Sequence, residues 1–204
     1  MTVTLTQGAV IVLEGLDKAG KSTQIDRLRS QLPAADTTFA HMPSGFTRFS
    51  TDVYSMLEDP QRRPTSGLAQ QLAHLACHAE NMPALVDAVR SGSLVLDRWW
   101  WSTLAYGWYS GALESTEFTQ TQFESLVKAV WAPITASVVF VFRTPHEHDA
   151  NNREGIAGGY TALLSQHPDL AVEIPNLSAD ATTEFILNEL DVRGLTRTTV
   201  PVTP

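Results

Sequence analysis

Val10-Ile-Val-Leu-Glu-Gly-Leu-Asp-Lys-Ala-Gly-Lys-Ser-Thr-Gln24 is the stretch on which the fold turns. Val10 to Leu13 is a continuous apolar run, the pattern of a strand buried on both faces. Gly15-Leu-Asp-Lys-Ala-Gly-Lys-Ser22 follows at once and fits G-x-x-x-x-G-K-[ST]. Ile25, Leu28 and Leu32 then recur at helical spacing. Strand, glycine loop and helix in that order make a cradle: backbone N–H groups turn inward, and the helix N-terminus adds its positive end. Lys21 can reach the β- and γ-phosphates, and Ser22 can hold Mg²⁺. A glycine turn that matches by chance is the alternative, and the flanking strand and helix weigh against it. The stretch therefore predicts a site for a nucleoside triphosphate.

Outward from there, further strands are predicted over Thr37–Ala40, Leu94–Leu96, Ala136–Phe142 and Leu170–Ile174. Helical patterns lie between them over about Gly20–Gln31, Phe49–Leu57, Leu68–Arg90, Ser102–Tyr109 and Thr119–Trp131. Another starts at Tyr160, and a last one spans Asn176–Leu190 with Ser178 or Asp180 as its cap. In the longest helix, Leu68, Leu72, Leu75, Ala76 and Ala79 mark the expected core side, and Pro83 predicts a kink or a break. Strands alternating with helices predict an α/β fold of three layers, a five-stranded parallel sheet flanked by helices. The polar segment 144–159 reads as a short lid, the first seven residues as a lead-in, and 196–204 as a frayed tail. Residues 1–204 read as one domain.

With 204 residues and 43% hydrophobic content, the chain can build a core. Its net charge of −8 argues against tight nonspecific binding to nucleic acid. The one cysteine, Cys77, cannot form an internal disulfide and reads as a buried helical thiol. No signal-like segment or bilayer-length apolar run stands out, so a cytoplasmic location is expected. His146 and His148, beside Glu147 and Asp149, are read as parts of a polar lid rather than as metal ligands.

Asp97-Arg98 ends the third strand. In an open parallel sheet the ligand lies at the carboxyl ends of the strands, where the glycine loop also sits. There a carboxylate can hold Mg²⁺ through water or take a proton, and an arginine can grip a phosphate in a fork. With Glu14-Gly-Leu-Asp-Lys-Ala-Gly-Lys-Ser-Thr-Gln24, Asp97-Arg98-Trp99 and Ser102-Thr-Leu-Ala-Tyr106 together, the chain resembles the thymidylate kinase family. Ala76-Cys-His-Ala-Glu80 falls where that family places its long acceptor-site helix, and spacing agrees from about residue 9 to 190.

The resemblance implies a P-loop kinase that moves the γ-phosphate of ATP to a pyrimidine deoxynucleotide such as dTMP, with Mg²⁺. Gly15, Leu16, Asp17, Lys18, Ala19, Gly20, Lys21, Ser22 and Thr23 would form the ATP site, with Arg143 on adenine or near the phosphates. Lys21, Lys18, Asp97 and Asp17 would be the catalytic set, and Ser22 and Asp97 would serve the metal. Arg98, Tyr106, His41, His74, His78 and Trp99 would meet the acceptor. A homodimer is also implied.

The departures from the family lie on the acceptor side. An arginine is usual in the loop after the second strand, where this chain has His41-Met-Pro-Ser-Gly-Phe-Thr47. A second arginine on the long helix is replaced by His78, and His74 falls where a phenylalanine often packs on the base. Losing two guanidinium forks would cost a few kcal/mol, at about 1.5–3 kcal/mol per charged hydrogen bond, unless Arg48, Arg62 or Arg63 compensates. Trp99-Trp-Trp101 reads as one or two core rings, since successive side chains diverge, or as an aromatic wall for a base. These departures leave two alternatives open. One is a kinase of a hydroxyl on a nucleoside or on a modified pyrimidine in DNA, with Asp97, Asp17 or Glu14 as the base. The other is a non-catalytic nucleotide-binding relative.

Overall fold

The computed structural model describes residues 2–43 and 45–199. At its centre is β2 (Val10–Gly15), whose six residues are all buried. It pairs in parallel with β4 (Ser93–Asp97) on one side and β5 (Val138–Phe142) on the other. β3 (Thr37–His41) extends the sheet beyond β4, and β6 (Ala171–Glu173) beyond β5, both in parallel. The order is β3-β4-β2-β5-β6. Chain direction across the sheet reverses at β2, so its carboxyl end opens on a crevice. The central strands are uninterrupted apolar runs because helices cover both faces.

Those helices are α1 (Lys21–Gln31), α2 (Arg48–Glu58), α3 (Gly67–Ser91), α4 (Trp100–Leu104), α5 (Gln120–Trp131), α6 (Glu154–Gln166) and α7 (Ala179–Val192). A π-helical turn, Ala105–Tyr109, continues α4. α1 packs on α7, while α3 packs on α2, α4 and α5. Thr47, Ser66, Thr119 and Ser178 cap α2, α3, α5 and α7 by accepting a backbone N–H. α1 has no side-chain cap, so its first N–H groups are left for a ligand.

Four expectations change. The lead-in and the start of the tail pair with each other: β1 (Thr2–Leu5) runs antiparallel to β7 (Thr196–Thr199). Threonine suits a pleated edge, and Leu5 anchors the ribbon in the core. The rest of that tail, 200–204, lies outside the described residues. α3 runs for 25 residues, continuous through Pro83, so the proline does not break it. The lost N–H bond is outweighed by burial of Met82, Leu85 and Ala88 around it.

The core side of α3 is also turned from the expected one. Leu72 is 44% exposed, and Ala76 and Ala79 are exposed too, whereas Gln71, Leu75, His78 and Met82 are buried. The inward face of α3 is partly the wall of a cleft, so polar residues point in. Finally, α6 begins at Glu154, which shortens the lid to 144–153. Gly155 and Gly159, which made the segment look loose, are packing positions. A Cβ on Gly155 would lie 2.2 Å from the Tyr109 carbonyl oxygen, and one on Gly159 2.7 Å from the Tyr109 ring.

Candidate active site

Strand register assembles the site. His41 lies beside Asp97 at the ends of β3 and β4, and Leu13 beside Asp97 across β2 and β4. Gly15 lies beside Phe142 at the end of β5. Gly15 has φ +128°, and a Cβ there would come within 2.0 Å of the Phe142 oxygen, so only glycine permits this close pairing. Gly20, at φ +94°, turns the chain into α1. Between them Lys18 also takes a left-handed conformation, φ +59°. The loop wraps the buried Lys21 ammonium, which donates to the Gly15 and Leu16 carbonyls at 3.1 and 2.6 Å. Burial and the nearby Arg98 charge push the Lys21 pKa down to about 8, against the pull of Asp97, Asp17 and Glu14.

Asp97 and Arg98 stand next to this loop. Burial favours the neutral Asp97 acid, but the hydrogen bond and charge of His41, with Lys21 and Arg98, outweigh it and lower the pKa. His41 Nδ1 is 2.9 Å from Asp97 Oδ2, while Oδ1 is buried without a partner. That orphaned oxygen and the exposed Ser22 line one cleft and suit a Mg²⁺ ion, which takes oxygen ligands and keeps several waters. Arg98, at φ +74°, pairs with the Asp17 carboxylate, donates to Ser102 Oγ at 3.0 Å and lies 5.2 Å above the Tyr106 ring.

Glu14 is not available as a base, contrary to the expectation for a hydroxyl acceptor. It is 0% exposed and accepts from Trp99 N (2.7 Å), Ser102 N (2.9 Å), Ser102 Oγ (2.6 Å) and Tyr160 Oη (2.9 Å). Burial raises its pKa, and the Ser102 bond and the Arg98 charge oppose that rise. The carboxylate does for α4 what no side chain of α4 does for itself: it caps the N-terminus.

The loop, Asp97 and Arg98 open on a cleft of about 710 Å³. Asp17 to Thr23 form one wall, and His41, His74, His78, Trp99 and Tyr106 lie around the other. Gly15 and Leu16 stay behind it and offer carbonyls to Lys21. Burial drives the pKa of His78 down to about 3 and that of His74 to about 4, so both imidazoles are neutral. His78 Nε2 is 3.3 Å from Thr103 Oγ1, and its Nδ1 has no partner. Asn81 supports the wall from behind, joining the Pro43 carbonyl and Ser50 Oγ at 2.8 Å each.

Arg143 lies elsewhere. It lines an adjoining pocket of about 370 Å³ with Gly20, Thr23, His146 and the Pro175–Ser178 turn, and is tied to Glu173 at 2.8 Å and Thr161 at 2.6 Å. Of the three arginines that could replace the missing forks, Arg63 lines the cleft, whereas Arg48 sits in an exposed pair with Asp52. The tryptophan run builds no aromatic wall. All three rings are at most 5% exposed, so burial exceeds the expected one or two. Trp99 is extended while Trp100 and Trp101 begin α4, and the rings pack on one another at 5.2 and 5.9 Å, with Trp131 against Trp99 and His167 against both Trp100 and Trp101. Trp99 alone borders the cleft.

Several cleft residues escaped the sequence. Asn152 clasps Asp17, accepting from its N–H and donating to its carbonyl, both at 2.8 Å. His146 N–H donates to the Lys18 carbonyl at 2.9 Å. Segment 144–153 thus contacts the loop through the Asn152 amide and the His146 N–H, in a polar run that no motif marks. Tyr54, between His41 and His74 at 6.0 and 6.4 Å, was signalled only by the amphipathic pattern of α2.

A phosphate-binding loop, an uncapped helix N-terminus and a strand-end Asp-Arg pair around one cleft define a P-loop phosphotransferase. The sequence model described as Thymidylate kinase matches residues 13–128, and the chain belongs to that family. It is 29% identical over 188 residues to the thymidylate kinase of a Synechococcus species, covering 79% of this chain and 85% of that protein. It is 25% identical over 204 residues to that of an Exiguobacterium species, covering 90% and 92%. The thymidylate kinase structure from Ehrlichia chaffeensis superposes with a TM-score of 0.74 at 16% identity, covering 91% of this chain and all of that one, 100%. The Candida albicans structure gives 0.68 at 17% identity, covering 98% and 97%. The chain is a nucleotide kinase, and ATP and Mg²⁺ are general to its family.

Proposed function

We propose that this chain transfers the γ-phosphoryl group of ATP to a pyrimidine deoxynucleotide, most simply dTMP to dTDP. The observation that carries this reading is that the phosphate loop and Asp97-Arg98 line a single cleft of about 710 Å³, with the pocket of Arg143 adjoining it. The bond between the γ-phosphorus and the β–γ bridging oxygen breaks as one forms to an acceptor phosphate oxygen, and ADP leaves. Lys21 leaves its loop carbonyls for the triphosphate, Lys18 approaches the transferring group, and the amides of residues 18–23 hold the phosphate oxygens. Ser22 and Asp97 would hold Mg²⁺, which neutralises charge on the β- and γ-oxygens.

A phosphate acceptor is already a nucleophile, so no strong base is needed. Arg98 grips the acceptor phosphate, with Asp17 and Tyr106 against its sugar. His41 holds Asp97 in place, and His74, His78 and Trp99 surround the base. Arg143 lies toward adenine. The whole chain acts as one kinase unit with 144–153 as its lid.

Purified protein with ATP and Mg²⁺ should form ADP with dTMP above an acceptor-free blank. No increase with any free pyrimidine nucleotide overturns the reading, and turnover only with a nucleoside or hydroxymethylpyrimidine DNA replaces it with hydroxyl transfer. The exposed α3 face of Leu72, Ala76 and Ala79 supports a homodimer. Sedimentation should give a dimer that Leu72→Glu dissociates. No helix among the described residues is long and apolar enough to cross a membrane. The reducing cytoplasm, where ATP is plentiful and the Cys77 thiol is preserved, is the compartment this function implies.

A further inference from the structure

Arg98 cannot find its position from its own backbone. Its φ of +74° lies in a region that side-chain-bearing residues seldom occupy, so neighbours must hold it there. Its N–H donates to the Leu13 carbonyl at 2.9 Å, and the next N–H, of Trp99, donates to Glu14 at 2.7 Å. The guanidinium has two side-chain partners. Nη2 pairs with the Asp17 carboxylate, and Nη1 donates to Ser102 Oγ at 3.0 Å.

Both partners are themselves held by the segment in which the lid returns to the fold. Asn152 fixes Asp17 through both of its backbone polar groups, each at 2.8 Å. Tyr160, eight residues on and 0% exposed, places its hydroxyl 2.9 Å from Ser102 Oγ and 2.9 Å from Glu14 Oε2. Ser102 Oγ completes the triangle at 2.6 Å from the same Glu14 oxygen. A phenol in the core needs only one acceptor, and this one joins the two groups that set the start of α4 and the direction of Arg98. Residues 152 and 160 therefore reach the same guanidinium from two sides, through separate contacts.

We propose that Asn152 and Tyr160 are positioning residues for the acceptor: acting through Asp17 and through Ser102 with Glu14, they aim Arg98 at the acceptor phosphate. This rests on the assignment of Arg98 to that phosphate. Neither residue touches substrate. Their removal changes where Arg98 points; Tyr160 bonds Ser102 and Glu14 outside the loop, and Asn152 holds the loop only at the Asp17 backbone, apart from Lys21 and the amides of residues 18–23 that meet ATP.

Tyr160→Phe deletes one hydroxyl and Asn152→Ala one exposed-side amide, and both should fold. Each should raise the KM for dTMP about tenfold, the worth of a hydrogen bond to a charged group, with the KM for ATP changed by less than about twofold. Crystal structures of wild type and both variants read Arg98 directly, whatever the acceptor. Detachment of its guanidinium from Ser102 in Tyr160→Phe, and from Asp17 in Asn152→Ala, is the expected result. Arg98 unmoved in both variants overturns the proposal, as does an unchanged dTMP KM in both. A parallel rise of both KM values that follows the thermal midpoint assigns the residues to packing alone and overturns it too. A wild type inactive on dTMP refutes the function proposed above, and the position of Arg98 still decides this inference.

Discussion

The donor and acceptor walls of the cleft are built from different materials. On the donor side the backbone makes the contacts: Gly15 and Gly20 shape the loop, and the N-terminus of α1 stays uncapped for a phosphate. On the proposed acceptor side, side chains line the cleft: Tyr54 from α2, His74 and His78 from α3, and Arg98 between β4 and α4. A backbone cradle tolerates little change, because Gly15 has no room for even a Cβ. A side-chain wall can exchange an arginine for a histidine and keep its shape. The departures that the resemblance points to, at His41, His74 and His78, all line that wall.

The comparison breaks most sharply at Lys21. Lys21→Met removes the buried ammonium of the donor wall, and kcat should fall by on the order of 10²–10³. Affinity for dTMP, measured by quenching of tryptophan fluorescence, should stay within about twofold, since the acceptor's charge partner is Arg98. An equal loss of dTMP affinity would mean that the two walls are not separate.

The same division governs what could be read in advance. The glycine loop, the parallel sheet and the Asp97-Arg98 pair were legible because each couples residue type to local geometry. α3 was misread because apolar residues were assumed to point inward. Leu72 is exposed and Gln71 buried because the inward side there is cleft wall, not core. The tryptophans were misread for a related reason. Period arguments assume one conformation, and Trp99 is extended while Trp100 is helical. Glu14 meets Trp99 and Ser102 across 85 and 88 residues of chain, Asn152 meets Asp17 across 135 and Tyr160 meets Ser102 across 58, separations at which no spacing rule operates.

A middle-sized effect tests whether the acceptor wall carries a stability cost. His78 and His74 are neutral in the fold, their pKa values pushed from 6.5 to about 3 and about 4. Unfolded, both take a proton near the ordinary value. Below pH 6.5 the unfolded chain thus binds more protons, and stability falls as pH falls toward 4. By about pH 5.5 the loss from the pair should be on the order of 2–3 kcal/mol, read as a shift in urea midpoint. Carboxylates titrate in the same range, so the comparison is with His74→Phe/His78→Gln, whose acid limb should be shallower. Parallel limbs would mean that the two imidazoles are more solvated than their burial implies.

The smallest effect separates the walls by pH alone. Lys21 has its pKa lowered to about 8, whereas an arginine such as Arg98 keeps its charge throughout. Raising the pH through 8 strips the ammonium from the donor wall and leaves the acceptor wall charged. ATP affinity without Mg²⁺ should then weaken, by up to about tenfold between pH 7 and 9, while dTMP affinity stays flat. Stability should not follow the same course. Above pH 8 the folded state has lost the Lys21 proton that the unfolded chain keeps up to 10.5, so this group makes the fold more stable as binding weakens. An ATP affinity that holds constant across this range would show that binding takes up no proton, so that the triphosphate charge does not meet Lys21. Weakening together with dTMP would instead put both nucleotides under one titrating group and dissolve the distinction between the walls.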